Sequence, residues 1–104
     1  MANQEQLGIL KQGVDVWNKW REDNPYVEID LSEASLIGIN LNGANLSESN
    51  LSKAVFLDIK LGGGNLTRAD LSGGIFTQAD LSAAKLCEAN LSGANLSEAN
   101  LFFC

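Results

Sequence analysis

Leucine or phenylalanine occupies every fifth position from Leu31 to Leu101, fifteen times in succession. The residue two before each is small: from position 34 to 99 it is nine Ala, two Gly, one Ser and two Ile. The residue just before it is Asp or Asn in ten of the fifteen units. On a helix, a five-residue step places successive leucines about 140° apart, so they would wrap around the axis. On a flat strand an odd step sends them to alternate faces. A buried core results only if each five-residue unit is one short side of a coil with a bend at its end. The central Leu then points to the axis and the small residue turns inward at a corner. The Asp/Asn points out, and the last two positions, rich in Ser, Thr, Gly and charged residues, make the bend.

The exceptions set the number of sides. Phe56 and Phe76, Ile39 and Ile59, Val55 and Ile75, and Ile37 and Leu57 each recur twenty residues apart, as do Ser32, Ser52, Ser72 and Ser92. Four units therefore complete a turn, and adjacent coils pair as parallel strands about 4.8 Å apart. The first part of the chain follows another rule. Leu7, Leu10, Val14 and Trp17, extended by Trp20, form an apolar stripe at three- and four-residue steps, predicting one helix over about Asn3 to Asp23. Asn3 and Gln6 have capping-box spacing, and Asn24-Pro25 ends the helix. Gly8 and Gly13 each weaken it by ~1 kcal/mol relative to Ala, so it needs something to pack on.

The units Ala44-Asn45-Leu46-Ser47-Glu48, Ala69-Asp70-Leu71-Ser72-Gly73 and Ala94-Asn95-Leu96-Ser97-Glu98 carry the motif A(D/N)LXX, and the chain resembles the pentapeptide-repeat family on this ground. The resemblance implies an all-β solenoid: a right-handed, four-sided parallel β-helix. The fifteen units from Ile29 to Phe103 make just under four coils. The helical start with its Trp17–Trp20 pair is similar to N-terminal caps of cyanobacterial members. Residues 1–25 are thus expected to form the cap and connector, and 26–104 the β-helix. Val55, Lys60, Ile75 and Lys85 depart from the motif at the Asp/Asn position, and Ile39 and Ile59 at the small one.

A solenoid end exposes core and strand edges and requires a cover. The helix serves at the bottom. At the top, Leu101-Phe102-Phe103-Cys104 places aromatic residues where Ser and Glu are usual. Leu101, Phe102 and Phe103 are read either as an end-to-end interface between two copies, or as a tail folded back as a plug. Ile37, Val55, Leu57 and Ile75 share one wall at outward positions. They form an apolar patch that is either an interface or covered by the chain near Tyr26 or by the helix.

Composition narrows the function. A net charge of -6 without a Lys/Arg cluster argues against direct nucleic-acid binding. The apolar stretches are too short to span a membrane, and the polar start, Met1 to Gln6, lacks a signal-peptide pattern, so a cytoplasmic protein is expected. Histidine is absent, removing the commonest general base and metal ligand. Asp70 and Asp80 map to opposite walls, and Asp30 and Asp70 lie two coils apart with Asn50 between, so neither is a carboxylate pair for acid–base work. Gly62-Gly63-Gly64 sits in phase and precedes no helix, unlike a phosphate loop. Cys87 faces outward and Cys104 inward one layer on, which disfavours a disulfide. No cofactor or metal is expected.

The family resemblance also raises DNA mimicry, inhibition of a gyrase-type topoisomerase by an acidic β-helix. The columns Glu48–Arg68–Glu88, Glu33–Lys53 and Lys60–Asp80 alternate in sign and break any anionic stripe. The expected reading is a non-catalytic structural or protein-interaction module, partnered by itself as a homodimer or by another repeat protein.

Overall fold

Residue by residue, most five-residue units close as a hydrogen-bonded tight turn. The computed structural model describes residues 1–98 and the backbone of residues 100 and 101. In most units the amide of the small residue donates to the carbonyl of the preceding core residue, as in Ala34 to Leu31 (3.2 Å), Ala44 to Leu41 (3.0 Å) and Ala54 to Leu51 (3.1 Å). The residue before the small one takes positive φ throughout. Nine such residues are not glycine, among them Glu33 (62°), Lys53 (58°), Asp58 (54°) and Arg68 (59°). A left-handed residue at the third position of a tight turn makes it type II and redirects the chain. At Gly38, Gly43, Gly63, Gly73 and Gly93 this costs little; elsewhere a side chain carries the strain.

The Asp/Asn before each core residue offsets part of that cost. Its Oδ1 accepts the amide of the residue two ahead, and usually the Ser hydroxyl too: Asn50 from Ser52 N (3.0 Å) and Oγ (2.7 Å), Asp80 from Ser82 N (3.0 Å) and Oγ (2.6 Å). The outward side chain thus folds onto its own turn as an Asx-turn.

The corners stack into four parallel ladders with a twenty-residue step. They run Asp30–Asn50–Asp70–Asn90, Ser35–Val55–Ile75–Asn95, Asn40–Lys60–Asp80–Asn100 and Asn45–Asn65–Lys85. We number these walls one to four. The second contains β1 (Ser35–Ile37) and β2 (Val55–Leu57), in register as Ser35–Val55, Leu36–Phe56 and Ile37–Leu57. The third contains β3 (Asp80–Leu81), paired with β4 (Asn100–Leu101). The four sides and the twenty-residue period match the sequence reading.

Inside, Leu31, Leu41, Leu46, Leu51, Leu61, Leu66 and Phe56 are fully buried, each worth roughly 1.5–3 kcal/mol on burial. Phe56 and Phe76 meet edge to face at 5.5 Å, a favoured aromatic geometry. Gly74 stands where other units carry Ala because a Cβ there would collide with the Phe76 ring. Ser49 occupies the same kind of corner and buries a hydroxyl with no hydrogen-bond partner among the described residues.

The helical start differs from the expectation of one helix. Two helices form, α1 (Gln4–Lys11) and α2 (Val14–Asp23), joined through Gln12 and Gly13. Gly13 has φ 121°, a conformation closed to side-chain-bearing residues, so the helix breaks there. Folding back buries Leu7, Leu10 and Trp17 against the first coil, with Ile9, Val14 and Trp20 packed beside them. Trp17 and Trp20 lie 5.4 Å apart. α2 ends before Asn24-Pro25, as expected.

Candidate interaction wall

The lower edge of the first coil carries amides and carbonyls with no earlier coil to pair with. The Asn3 backbone and helix side chains serve the first wall and the fourth. At the first, Asn3 N donates to Asp30 O (2.8 Å), Asp30 N donates to Gln6 Oε1 (2.8 Å) and Gln6 Nε2 donates to Glu28 O (2.8 Å). At the fourth, Asn45 N donates to Asn18 Oδ1 (2.8 Å), while Trp17 Nε1 (2.7 Å) and Arg21 (2.8 Å) both donate to Asn45 O. Arg21 also reaches Ser47 O (3.0 Å), and Asn18 reaches Gly43 O (3.0 Å). Burial lowers the Arg21 pKa, and the nearby Glu48 opposes that shift.

Sequence reasoning missed this edge-sealing set. Asn3 does cap α1 through Gln6 N (3.1 Å), but the Gln6 side chain reaches the solenoid instead of completing a capping box. Its partners are 22 and 24 residues away, beyond any local motif.

The second wall is different. Its outward positions at three levels are Ser35 and Ile37, Val55 and Leu57, and Ile75 and Thr77. Ile37 is 65% exposed and Ile75 38%, while Val55 and Leu57 are half-buried. The ladder joins Val55 to Ile75 and Ile37 to Leu57, so all four candidate residues lie together on one wall. Such β-branched and aliphatic cross-strand neighbours also stabilise the sheet they sit on. Tyr26, 95% exposed, lines a shallow hollow with Arg21, Val27, Glu28 and Glu48. A second hollow lies beside the Gly13 bend, lined by Gln12, Asp15, Asn40 and Asn42 among others.

Charge on the remaining surface alternates as the column map requires. Arg68 lies 3.7 Å from both Glu48 and Glu88, and Lys60 is the backbone ladder neighbour of Asp80 on the third wall. Glu33, below Lys53 in its column, pairs with the terminal amine of Met1 at 3.1 Å. Ser32 Oγ–H donates to Asp30 (2.6 Å), and this bond, with that from Ser32 N, holds the Asp30 carboxyl below the usual carboxylate range. Ser82 does the same for Asp80.

Asp30 and Asp70 lie two ladder steps apart with Asn50 between, and Asp80 stands on another wall, so these carboxylates are not brought together. Among the described residues no cluster of three or more His, Cys, Asp or Glu could hold a metal ion. No helix among them is long and apolar enough to cross a membrane. Cys87 is not a free thiol but is disulfide-bonded, a correction to the expectation that its outward position disfavours a disulfide; Cys104 lies outside the described residues. The Leu101–Phe103 candidate interface lies there too, apart from the Leu101 backbone paired with Leu81.

Comparison with known proteins follows the same pattern. A family model for pentapeptide repeats matches residues 29–67 and 65–101. HetL, a pentapeptide repeat protein involved in heterocyst differentiation regulation from the cyanobacterium Nostoc sp. strain PCC 7120, is 38% identical, with a TM-score of 0.68. The match covers 70% of this chain and 34% of HetL. The pentapeptide repeat protein alr5209, also from Nostoc PCC 7120, is 38% identical with a TM-score of 0.68, over 71% of this chain and 61% of that one. The chain therefore spans about a third of one relative and under two thirds of the other. No curated protein sequence gives a significant match. With its ladders, corners and matched repeats in agreement, the chain belongs to the pentapeptide-repeat family.

Proposed function

We propose that this chain is a non-catalytic interaction module, working in the cytoplasm, whose contact surface is the second wall. On this reading the repeat that starts at residue 26 winds as a right-handed coil of just under four turns, capped by residues 1–25. The observation that carries this reading is Ile37 at 65% and Ile75 at 38% exposure, beside Val55 and Leu57, where other walls present Asp, Asn, Lys and Ser. Contiguous exposed apolar groups on an otherwise polar surface mark contact sites. HetL's described part in regulating differentiation is of the kind that a non-catalytic binding surface can serve. DNA mimicry finds less support, because Arg68 between Glu48 and Glu88 and Lys60 beside Asp80 interrupt the anionic surface.

Site-specific photo-cross-linking tests the reading. A benzophenone side chain replacing Ile37 in the full chain is expected to give a discrete adduct in cells. The same group replacing Lys85, exposed on the fourth wall, is expected to give none. Equal labelling from both positions, or from neither, would remove the second wall as the contact surface.

A further inference from the structure

The second wall is bounded by two corner columns, both left-handed turn residues. The leading corner carries Glu33, Lys53, Gly73 and Gly93 from bottom to top; the trailing corner carries Gly38, Asp58, Gln78 and Glu98. At the second level these margins are Lys53 and Asp58, on either side of Val55 and Leu57. Both are exposed, and among the described residues neither belongs to an ion pair. Arg68, by contrast, is flanked by acids in its own column, and Glu33 is held by the Met1 amine.

We propose that the occupant of this wall is a second copy of the same chain, packed face to face about a two-fold axis parallel to the coil axis. The proposal rests on the reading of the second wall as an interface. Rotation about such an axis keeps each level at its own height and exchanges the margins. The leading corner of one copy then faces the trailing corner of the other.

Level by level, Glu33 meets Gly38, Lys53 meets Asp58, Gly73 meets Gln78 and Gly93 meets Glu98. One level pairs opposite charges, twice by symmetry, and no level opposes like charges. Between the margins, Val55 of each copy meets Leu57 of the other, so the apolar centre is self-complementary, as an isologous contact requires. The alternative two-fold, perpendicular to the coil axis, inverts the levels. It sets Lys53 against Gly73 and Asp58 against Gln78, forfeiting the charge match. Charge complementarity therefore selects both the occupant and its orientation.

One wall of a coil this small buries less than the ~1,200 Å² typical of stable complexes, so the association is weak and concentration-dependent. Sedimentation velocity of the full chain, up to about 1 mM, is expected to show a rising sedimentation coefficient. Lys53→Glu and Asp58→Lys are each expected to weaken self-association roughly tenfold, and the two together to restore it. Both substitutions suit the local backbone, since Glu33 and Glu48 on one hand, and Lys53 on the other, already occupy left-handed corners. Circular dichroism on each variant reports the fold directly.

A chain that stays monomeric to the highest concentration overturns the proposal. So does association that neither single substitution weakens, or that the combined substitution leaves weakened. The cross-linking experiment separates this failure from failure of the broader reading. Adducts from position 37 solely to other proteins overturn self-pairing and leave the wall an interface; no adduct overturns both.

Discussion

An aspartate or asparagine before a core leucine does two things. Its carbon frame spaces the wall, and its Oδ1 holds the following turn by accepting the amide of the residue two ahead. Asn50 and Asn90 hold Ser52 and Ser92 as Asp30 and Asp80 hold Ser32 and Ser82, all with amide distances of 3.0 Å. The negative charge is therefore not needed for the geometry, but it changes the response to acid. Bonds from the Ser32 hydroxyl and amide, opposed by slight desolvation and aided by the terminal amine, lower the Asp30 pKa. Bonds from Ser82, with Lys60 contributing, lower that of Asp80. The folded chain thus binds these protons less tightly than the unfolded chain. The stabilisation is complete above the unfolded carboxylate value of about 3.9 and is lost as pH falls through it toward the depressed folded values. Asp30→Asn combined with Asp80→Asn is expected to leave the melting midpoint nearly unchanged at neutral pH. Between about pH 5 and pH 2.5 it should flatten the decline relative to wild type. Melting curves across that range check this, and parallel declines would show that these turns do not carry the acid sensitivity.

At the scale of elements, the helix pair replaces a missing coil. Gln6 is the clearest case: 4% exposed, it accepts from Asp30 N and donates to Glu28 O as a neighbouring strand would. Gln6→Leu keeps the side chain similar in size but replaces its amide with an apolar group, leaving both backbone groups unpaired at a buried edge. Such groups cost about 1–3 kcal/mol each, so the urea midpoint is expected to fall well beyond that of Lys11→Leu, an exposed position on the same helix. Equal midpoints would show that water replaces Gln6 at no cost. The sequence made the apolar stripe through Leu7, Leu10, Val14 and Trp17 legible, because burial against one surface imposes a period. The bend was not legible. Gly8 and Gly13 look alike in sequence, and Gly13 is the one that breaks because the chain must return Trp17 beneath Asn45 O. That requirement is tertiary, as are the contacts of Gln6, Asn18 and Arg21 with the coil.

Across the whole molecule, the twenty-residue register was legible because departures from the motif stack. Phe56 over Phe76 and Val55 over Ile75 are each other's packing partners. What faces a wall, by contrast, leaves its trace only in outward residues such as Ile37. The same stacking predicts how the molecule opens. In a solenoid each coil is stabilised by its neighbours, so cooperativity is one-dimensional and weakest where a neighbour is missing. Core positions in the middle coils, such as Leu51, Leu61, Leu66 and Leu71, are 0–1% exposed; Ala89, Leu91 and Leu96, in equivalent positions further along, are half-buried. Hydrogen-bond geometry does not distinguish the two regions. Asn50 N to Ile29 O and Asn90 N to Ala69 O are both 2.9 Å, and Asn95 N to Gly74 O is 2.8 Å. Any difference in exchange therefore reports coil opening rather than bond length. Amides of Asn90 and Asn95 are expected to exchange at least about tenfold faster than those of Asn50 and Asp70, a ratio equivalent to about 1.4 kcal/mol of local stability. Residue-resolved hydrogen exchange decides it. Uniform protection from Asn50 to Asn95 would mean that the coils open only together, and that the helix pair stabilises the far end as firmly as the coil it touches.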